Sequence, residues 1–346
     1  MSRVGSRVVL SMALVMVVAS CARAPEPPRK VEATRLAMGS TLALTAWTAD
    51  EPAARAAFDA VFADFERLEG LLSVWRPGSD VQLVNAQAGK APVPVHDETR
   101  EVLRAAAEIS GWTDGKFDVT FGALSDIWKF DHDQDGRVPT GAEIAARVPL
   151  VDYREVVIED GPGTVFIRRP GMRIHLGGIG KGYAVERAVA ILRRAGLRDF
   201  LIQSGGDLYV GGRAGSEPWR LGIQDPRGPA GQIFAEVELA DATFSTSGDY
   251  ERAFVKDGVR YHHILDPATG QPARLCRSVT IITRRPTLAD GLSTGVFILG
   301  PEKGMALVER LPDAEAVIVT ADNRVLVSSG LEGKLRVIRP PTGTSP

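Results

Sequence analysis

Helix-like and strand-like patterns alternate irregularly along this chain of 346 residues, and no regular strand–helix–strand repeat connects them. Apolar residues at helical spacing predict helices from about 50 to 72, from 98 to about 110, and from near 181 to 196. The order of the patterns therefore predicts the α+β class.

Strand-like runs separate these helices and continue to the end of the chain. They cover 33–47, 155–158, 165–167, 200–202, 208–210, 233–239, 279–282, 316–320 and 325–328. Neither an internal repeat nor a long linker interrupts residues 33–339. We therefore expect one domain over 33–339, which could divide into two subdomains, followed by a loose tail at 340–346.

The composition excludes several classes of protein. The chain has 41 Lys and Arg against 43 Asp and Glu, a net charge of −2, with 44% hydrophobic residues. These values are ordinary for a globular protein and exclude a disordered, a collagen-like or a polytopic membrane protein. A net charge close to zero does not favour nucleic-acid binding. Two cysteines are too few for a disulfide framework, and Cys276 is most simply a packing residue.

The N-terminus has the pattern of an export signal. Two arginines precede an apolar run at 8–19, which is too short to span a bilayer and ends in small residues before Cys21. This resembles a bacterial lipobox and predicts a signal peptide at 1–20, acylation of Cys21 and a Pro-rich tether at 21–32. The alternative is a plain secretory signal. The lipobox reading implies a lipid-anchored protein of the bacterial cell envelope that faces the periplasm.

A glycine-rich loop, IHLGGIGKGYA at 174–184, directly precedes the third predicted helix. Glycines let the backbone approach a ligand closely, and a helix N-terminus favours an anion such as pyrophosphate. Lys181 would add a positive charge. The Walker order of residues is absent, and a tight strand-to-helix turn is an equally good explanation of the loop.

Two further patterns offer catalytic or metal-binding side chains. If the segment 288–295 is helical, Asp290 and Thr294 lie on one face, and their oxygens suit Mg²⁺. The alternative is a capping Asp and a core Thr. His262 and His263 are adjacent, so on a strand their rings would point to opposite faces and could not easily serve one site together.

Two other segments are interpreted structurally. The sequence SGGD at 204–207 predicts a hairpin turn between two strands. Residues 131–136 begin like an EF-hand calcium loop, but Ala142 stands at its twelfth position, where a bidentate carboxylate is required. We therefore interpret this segment as a solvated acidic loop.

Together these motifs resemble the FAD:protein FMN transferases, the ApbE-type flavin transferases. The matching segments, in the expected order, are MGS at 38–40, LSVWRPGSDV at 72–81, FDVTFGAL at 117–124, the glycine loop, SGGD at 204–207, GIQDP at 222–226, STSGDY at 245–250, HILDP at 263–267 and ADGLST at 289–294. The resemblance implies a single catalytic unit of mixed, largely antiparallel sheets with packed helices. It also implies transfer of FMN from FAD to a Ser or Thr hydroxyl of an acceptor protein, with release of AMP and a requirement for Mg²⁺.

The resemblance assigns roles to individual residues. Asp290, Thr294 and a backbone carbonyl, that of Gly178, would hold Mg²⁺, and Asp290 would thereby serve catalysis. His263 would be the general base, in preference to His262. The residues at family FAD contacts are Met38, Trp75, Phe117, Asp118, Val119, Lys181 and Leu265. The family usually has Asp where this chain has His175, a neutral acceptor at the same position of the FAD site.

Three functions remain open at this point. The first is the flavin transferase, whose acceptor would be an electron-transfer subunit or domain exposed to the periplasm. The second is a Mg²⁺-dependent FAD pyrophosphatase, in which water replaces the acceptor hydroxyl. The third is a flavin-binding lipoprotein without catalysis, in which His175 marks loss of activity. The intact set of Asp290, Thr294 and His263 favours the first.

Overall fold

The computed structural model describes residues 27–343. The predicted signal peptide at 1–20, Cys21 and tether residues 21–26 lie outside the described residues, as do residues 344–346. Within the described part of the chain, no helix has both the length and the hydrophobicity that a bilayer crossing requires.

Seven α-helices are present in residues 27–343. They are α1 (Glu51–Leu72), α2 (Asp80–Ala86), α3 (Asp97–Trp112), α4 (Gly141–Arg147), α5 (Gly180–Arg194), α6 (Pro286–Leu299) and α7 (Pro301–Val308). The three helices predicted from apolar spacing correspond to α1, α3 and α5, and the conditional helix around Asp290 is α6. The side chain of Asp50 caps α1 by accepting from the N–H of Ala53, as its acidic start predicts.

The described residues also form eighteen strands. In chain order they are β1 (Arg29–Ala37), β2 (Ser40–Thr48), β3 (Val93–Pro94), β4 (Val156–Glu159), β5 (Thr164–Ile167), β6 (Asp199–Ser204), β7 (Asp207–Gly211), β8 (Trp219–Gln224), β9 (Ile233–Leu239), β10 (Ala242–Gly248), β11 (Ala253–Lys256), β12 (Val259–His262), β13 (Leu265–Asp266), β14 (Gln271–Pro272), β15 (Cys276–Thr283), β16 (Glu315–Thr320), β17 (Val325–Val327) and β18 (Leu335–Val337).

The strands pair to form one large and several small sheets. The large sheet has the order β1-β2-β6-β7-β10-β15-β16-β17, and each of its neighbouring pairs is antiparallel. A second sheet has the order β18-β9-β8, and a third has the order β3-β5-β4. Helices that pack on a mainly antiparallel sheet confirm the predicted α+β class.

The large sheet is covered on both faces near its centre. Helices α1, α5 and α6 pack on one face with the main apolar core. The sheet β18-β9-β8 covers part of the other face with a second apolar cluster, which includes Trp219 and Phe234. All residues of β15, from the free thiol Cys276 onward, are therefore buried.

The prediction of one strand at 33–47 is wrong, because this segment is a hairpin. Strands β1 and β2 pair from end to end, and the turn between them consists of Met38 and Gly39. Both turn residues have left-handed backbones, with φ of 49° and 71°, as a two-residue hairpin turn requires. The tether prediction is also too long, because β1 begins at Arg29 and pairs with β2.

Part of the predicted loose tail is held against the domain. The N–H and Oγ1 of Thr342 donate to the carboxylate of Asp225 at 2.9 and 2.6 Å. The carbonyl of Pro341 accepts a hydrogen bond from Nδ2 of Asn323 at 2.8 Å. Specific hydrogen bonds therefore fix residues that their composition alone suggested to be free.

Candidate active site

A cavity of about 440 Å³ opens where loops from both ends of the sequence meet. Its walls come from the β1–β2 hairpin, the segment 116–131, the glycine loop, the β6–β7 turn, the end of β10, the residues after β12, and α6. Nine of the predicted site residues line it: Phe117, Asp118, His175, Gly178, Lys181, His263, Leu265, Asp290 and Thr294. The volume lies in the range of small-molecule sites.

The three predicted metal donors meet on one side of this cavity. Asp290 and Thr294 are one turn apart on α6, and Asp290 is only 4% exposed. Its Oδ2 accepts a hydrogen bond of 2.8 Å from the N–H of Gly182. The glycine loop lies against Thr294, since a Cβ placed on Gly178 would be 3.8 Å from Thr294 Oγ1. The fold thus brings a carboxylate, a hydroxyl and the glycine loop together.

The electrostatics of Asp290 favour a cation. Burial raises the pKa of its carboxyl group, and the nearby carboxylate of Asp207 raises it further, although Lys181 opposes the shift. The negative charge of a buried carboxylate that lies near a second carboxylate is not fully balanced by its surroundings. A divalent cation beside Asp290 would supply that compensation, so the residues fit Mg²⁺.

A group of three or more His, Cys, Asp or Glu side chains able to hold a metal is absent from residues 27–343. The predicted donor set differs from such a cluster because it has one carboxylate, one hydroxyl and one backbone carbonyl. Mg²⁺ accepts sparse protein ligands of this kind, since it keeps several waters and binds substrate phosphates.

Lys181 forms a partly buried ion pair that sequence reasoning missed. Its ammonium group donates to Oδ2 of Asp207, whose Oδ1 accepts from the hydroxyl of Ser245. Burial opposes the positive charge, but the carboxylates of Asp207 and Asp290 outweigh it and raise the pKa of Lys181. The sequence signal was SGGD at 204–207, which indeed forms the predicted hairpin turn but also delivers Asp207 to the cavity.

The two adjacent histidines occupy different environments. His262 is 3% exposed, with Nε2 2.8 Å from the carbonyl of Ala273 and Nδ1 accepting from the N–H of Ile264 at 3.3 Å. His263 lines the cavity, and its buried Nδ1 has no hydrogen-bond partner among the described residues. Burial, reinforced by Arg252, lowers the pKa of His263 to about 3. His263 is therefore a neutral ring that lines the cavity, and its Nδ1 is buried and unpaired within residues 27–343.

The sequence matches the model of the ApbE family over residues 38–318. The chain belongs to the ApbE family. A protein of Treponema pallidum named FAD:protein FMN transferase is 35% identical over 298 residues, which cover 82% of each chain. One of Klebsiella pneumoniae with the same name is 33% identical over 293 residues, covering 84% of this chain and 90% of that one.

Solved structures of ApbE proteins have the same fold. The ApbE protein of Thermotoga maritima superimposes with a TM-score of 0.81 at 34% identity, covering 88% of this chain and 99% of that one. The flavin transferase ApbE of Vibrio cholerae gives a TM-score of 0.80 at 27% identity, covering 89% and 100%. The mixed, largely antiparallel architecture expected from the resemblance is confirmed.

His175, the departure from the usual ApbE motif, makes a local hydrogen bond to the glycine loop. Its Nδ1 accepts a hydrogen bond of 3.0 Å from the N–H of Gly177, two residues further on. An Asp side chain commonly makes this same local bond. The ring lies 5.2 Å from that of Phe121, and burial lowers the pKa of His175 to about 4. The glycine loop is therefore held without a charge at this position.

Three residues predicted to contact FAD lie outside the cavity lining. Met38 is in the β1–β2 turn, where its N–H donates to Oε2 of Glu69, while the next two residues line the cavity. Trp75 is 50% exposed, and its ring packs edge-on against that of His132 at 4.5 Å. Val119 is buried, and its carbonyl accepts the N–H of His175 at 2.8 Å. Val119 thus acts on the site through its backbone.

The carboxylate of Asp118 is committed to local structure. Oδ1 accepts from the N–H and the hydroxyl of Thr120 at 2.7 and 2.6 Å, and Oδ2 accepts from the N–H of Tyr153 at 2.8 Å. Burial raises the pKa of this carboxyl group, against the effect of those hydrogen bonds. Asp118 therefore fixes the shape of the loop that carries Phe117 into the cavity.

The acidic loop at 131–136 is only partly a solvated segment. Asp131 lines the cavity, and its Oδ1 accepts a hydrogen bond of 2.6 Å from Nη1 of Arg252. Arg252 is a cavity residue that sequence reasoning missed. Its backbone carbonyl accepts a hydrogen bond of 3.1 Å from the N–H of His263. Arg252 directly follows the STSGDY motif and Glu251, so its position beside a family motif was the available signal.

Proposed function

We propose that this ApbE-family protein transfers FMN from FAD to a Ser or Thr hydroxyl of an acceptor protein, with Mg²⁺, and releases AMP. The names of its relatives support the activity. The observation that carries the proposal is one cavity that joins the oxygen donors of α6 and the glycine loop to Lys181 and to the ring of His263.

The reaction replaces the phosphoanhydride bond of FAD with a phosphoester bond to the acceptor. The acceptor oxygen forms a bond to the phosphorus of the FMN half of FAD, the pyrophosphate bond breaks, and AMP leaves. Bound Mg²⁺ would neutralise charge on the phosphate oxygens. Lys181 would orient the pyrophosphate as a fixed positive charge, which suits a reaction that depends mainly on positioning and electrostatics. Gly178, Asp290 and Thr294 would hold the metal.

His263 would take the proton of the acceptor hydroxyl. Its pKa is lowered by burial and by the cation of Arg252, so the ring is neutral near pH 7 and can accept a proton. The phosphates of FAD would oppose the effect of Arg252 and raise the basicity of the ring, because a nearby negative charge favours the protonated form. Bound FAD would thus make His263 a stronger base toward the acceptor hydroxyl.

We also propose that the protein is anchored through an acylated Cys21 and acts at the periplasmic face of the cell envelope, on an electron-transfer subunit or domain. The support is the pattern of residues 1–21. The test is the distribution of the protein between membrane and soluble fractions, together with the mass of its N-terminal peptide. A Cys21→Ala variant that remained lipidated and membrane-bound would contradict the anchor.

Incubation of the full-length protein in mild detergent with FAD and MgCl₂ tests the activity, with and without a candidate acceptor domain from an electron-transfer protein. Chromatography follows AMP and free FMN, and mass spectrometry follows the acceptor. We expect an acceptor adduct of one FMN that EDTA abolishes. Free FMN without an adduct would indicate a pyrophosphatase, and bound but unchanged FAD would indicate a binding protein.

A further inference from the structure

A chain of three hydroxyl groups connects β10 to the metal-binding face of α6. The Oγ of Ser247 lies 2.8 Å from Oγ of Ser293 and 3.0 Å from Oγ1 of Thr294. The Oγ of Ser293 lies 2.8 Å from the carbonyl oxygen of Asp290. Ser247 lines the cavity, whereas Ser293 is only 1% exposed.

The direction of these hydrogen bonds follows from counting protons, since each hydroxyl has one. The carbonyl of Asp290 can only accept, so Ser293 donates to it. Ser247 must then donate to Ser293, because the Ser293 proton is already used. The remaining bond requires Thr294 to donate to Ser247. The proton of Thr294 therefore points away from the proposed metal position.

This direction matters because a hydroxyl binds a cation through its lone pairs. Thr294 accepts no hydrogen bond from another group in residues 27–343 of the structure, so its lone pairs remain available. We infer that Ser247 is a positioning residue. It accepts a hydrogen bond from the Thr294 hydroxyl and so leaves the lone pairs of the Thr294 oxygen directed to Mg²⁺. The inference rests on the proposed function, because it assumes that Thr294 is a metal ligand. Partners that orient metal ligands typically affect metal affinity by 10- to 100-fold.

The experiment measures the binding of Mg²⁺ itself, by calorimetric titration of MgCl₂ into full-length protein in detergent without FAD. We expect Ser247→Ala to weaken Mg²⁺ binding by about tenfold or more, and Ser247→Thr, which keeps the hydroxyl, to restore it. Ser110→Ala is the matched control. It removes a buried serine hydroxyl that donates to the Ala106 carbonyl at 2.8 Å within α3, outside the cavity lining.

A double-mutant cycle tests whether Ser247 acts through Thr294. In a Thr294→Val background, Ser247→Ala should have little further effect on Mg²⁺ affinity. Additive losses would show that Ser247 acts independently, for example as a ligand, and would overturn the inference. If Ser247→Ala fails to fold, as judged by circular dichroism, Ser247→Cys takes its place, because a thiol keeps the volume but is a weak donor and acceptor.

The outcomes separate this inference from the proposed function. Normal Mg²⁺ affinity in folded Ser247→Ala would overturn the role of Ser247 and leave the transferase proposal intact. Wild-type protein that bound no Mg²⁺ would overturn both the metal site and the inference. Three results together support the hydroxyl chain: Ser247→Ala binds Mg²⁺ more weakly, Ser247→Thr binds it normally, and Ser247→Ala causes little further loss in the Thr294→Val background.

Discussion

The carboxylate of Asp290 accepts a hydrogen bond of 2.8 Å from the backbone N–H of Gly182, which joins α6 to the first turn of α5. The N–H groups of a first helical turn have no partner inside their own helix. Asp290 therefore satisfies one of them and places its negative charge at the positive end of α5. The same contact brings the proposed metal face of α6 next to the glycine loop.

Substitution of Asp290 by Asn should separate metal binding from folding. Burial and Asp207 raise the pKa of Asp290, although Lys181 opposes the shift, so the ionised carboxylate is less favourable here than in water. We expect Asp290→Asn to have a Tm without MgCl₂ equal to or above that of the wild type, to lose the increase in Tm caused by MgCl₂, and to lose FMN transfer. Thermal melts with and without MgCl₂ measure this. A variant that MgCl₂ stabilises as strongly as the wild type would refute the metal assignment.

Substitution of Gly182 by Ala should disturb the contact between α5 and α6. A Cβ at Gly182 would lie 2.4 Å from the carbonyl oxygen of Pro286 and 2.6 Å from Cβ of Asp290. Overpacking of this kind typically costs about 1–3 kcal/mol in the free energy of unfolding. We expect a loss of that size in chemical denaturation, with weaker Mg²⁺ binding. The control is Gly70→Ala in α1, where the new Cβ meets nothing within 4 Å and should stabilise the helix slightly. Equal effects of the two substitutions would contradict the argument.

Substitution of His263 by Gln should reduce catalysis without loss of FAD binding. Removal of a positioned general base typically lowers the rate by about 10²- to 10⁴-fold. Gln keeps a polar side chain of similar size but cannot take a proton near pH 7. We expect FMN transfer to fall by a factor in that range, while the affinity for FAD, measured by fluorescence titration in EDTA, changes little. Transfer at the wild-type rate would exclude His263 as the base.

The stability of the fold should decrease in mild acid because of His262. Burial lowers the pKa of His262 from 6.5 to about 4. The unfolded chain therefore binds more protons at this position between pH 6.5 and 4, so the free energy of unfolding falls as the pH drops through that window and levels off below about 4. The full shift corresponds to about 3 kcal/mol at most.

Denaturant unfolding at pH 7 and pH 4.5 measures this effect in the wild type and in His262→Gln. Gln can still donate to the Ala273 carbonyl but does not titrate. We expect the difference in stability between the two pH values to be smaller in the variant than in the wild type. Parallel pH dependence in both proteins would assign the acid sensitivity to other groups.

Sequence reasoning succeeded where the signal is local. Apolar spacing located α1, α3 and α5, and the spacing of Asp290 and Thr294 placed both on one face of α6. It failed at 33–47, because the period-two pattern continues through a hairpin whose turn is only two residues long. The β11–β12 and β13–β14 pairs were also missed, since such short strands have few residues in which to show a pattern.

The amino-acid sequence by itself determined the α+β class, the ApbE family and the oxygen donors of the proposed metal site, because each depends on motif order or on spacing within one element. Only the tertiary structure decided that Asp207 pairs with Lys181 and that the hydroxyl of Ser247 lies 3.0 Å from that of Thr294. These partners are 26 and 47 positions apart in the chain. The register of the central strands and the packing of α5 and α6 on the sheet bring them together, and no local pattern encodes either.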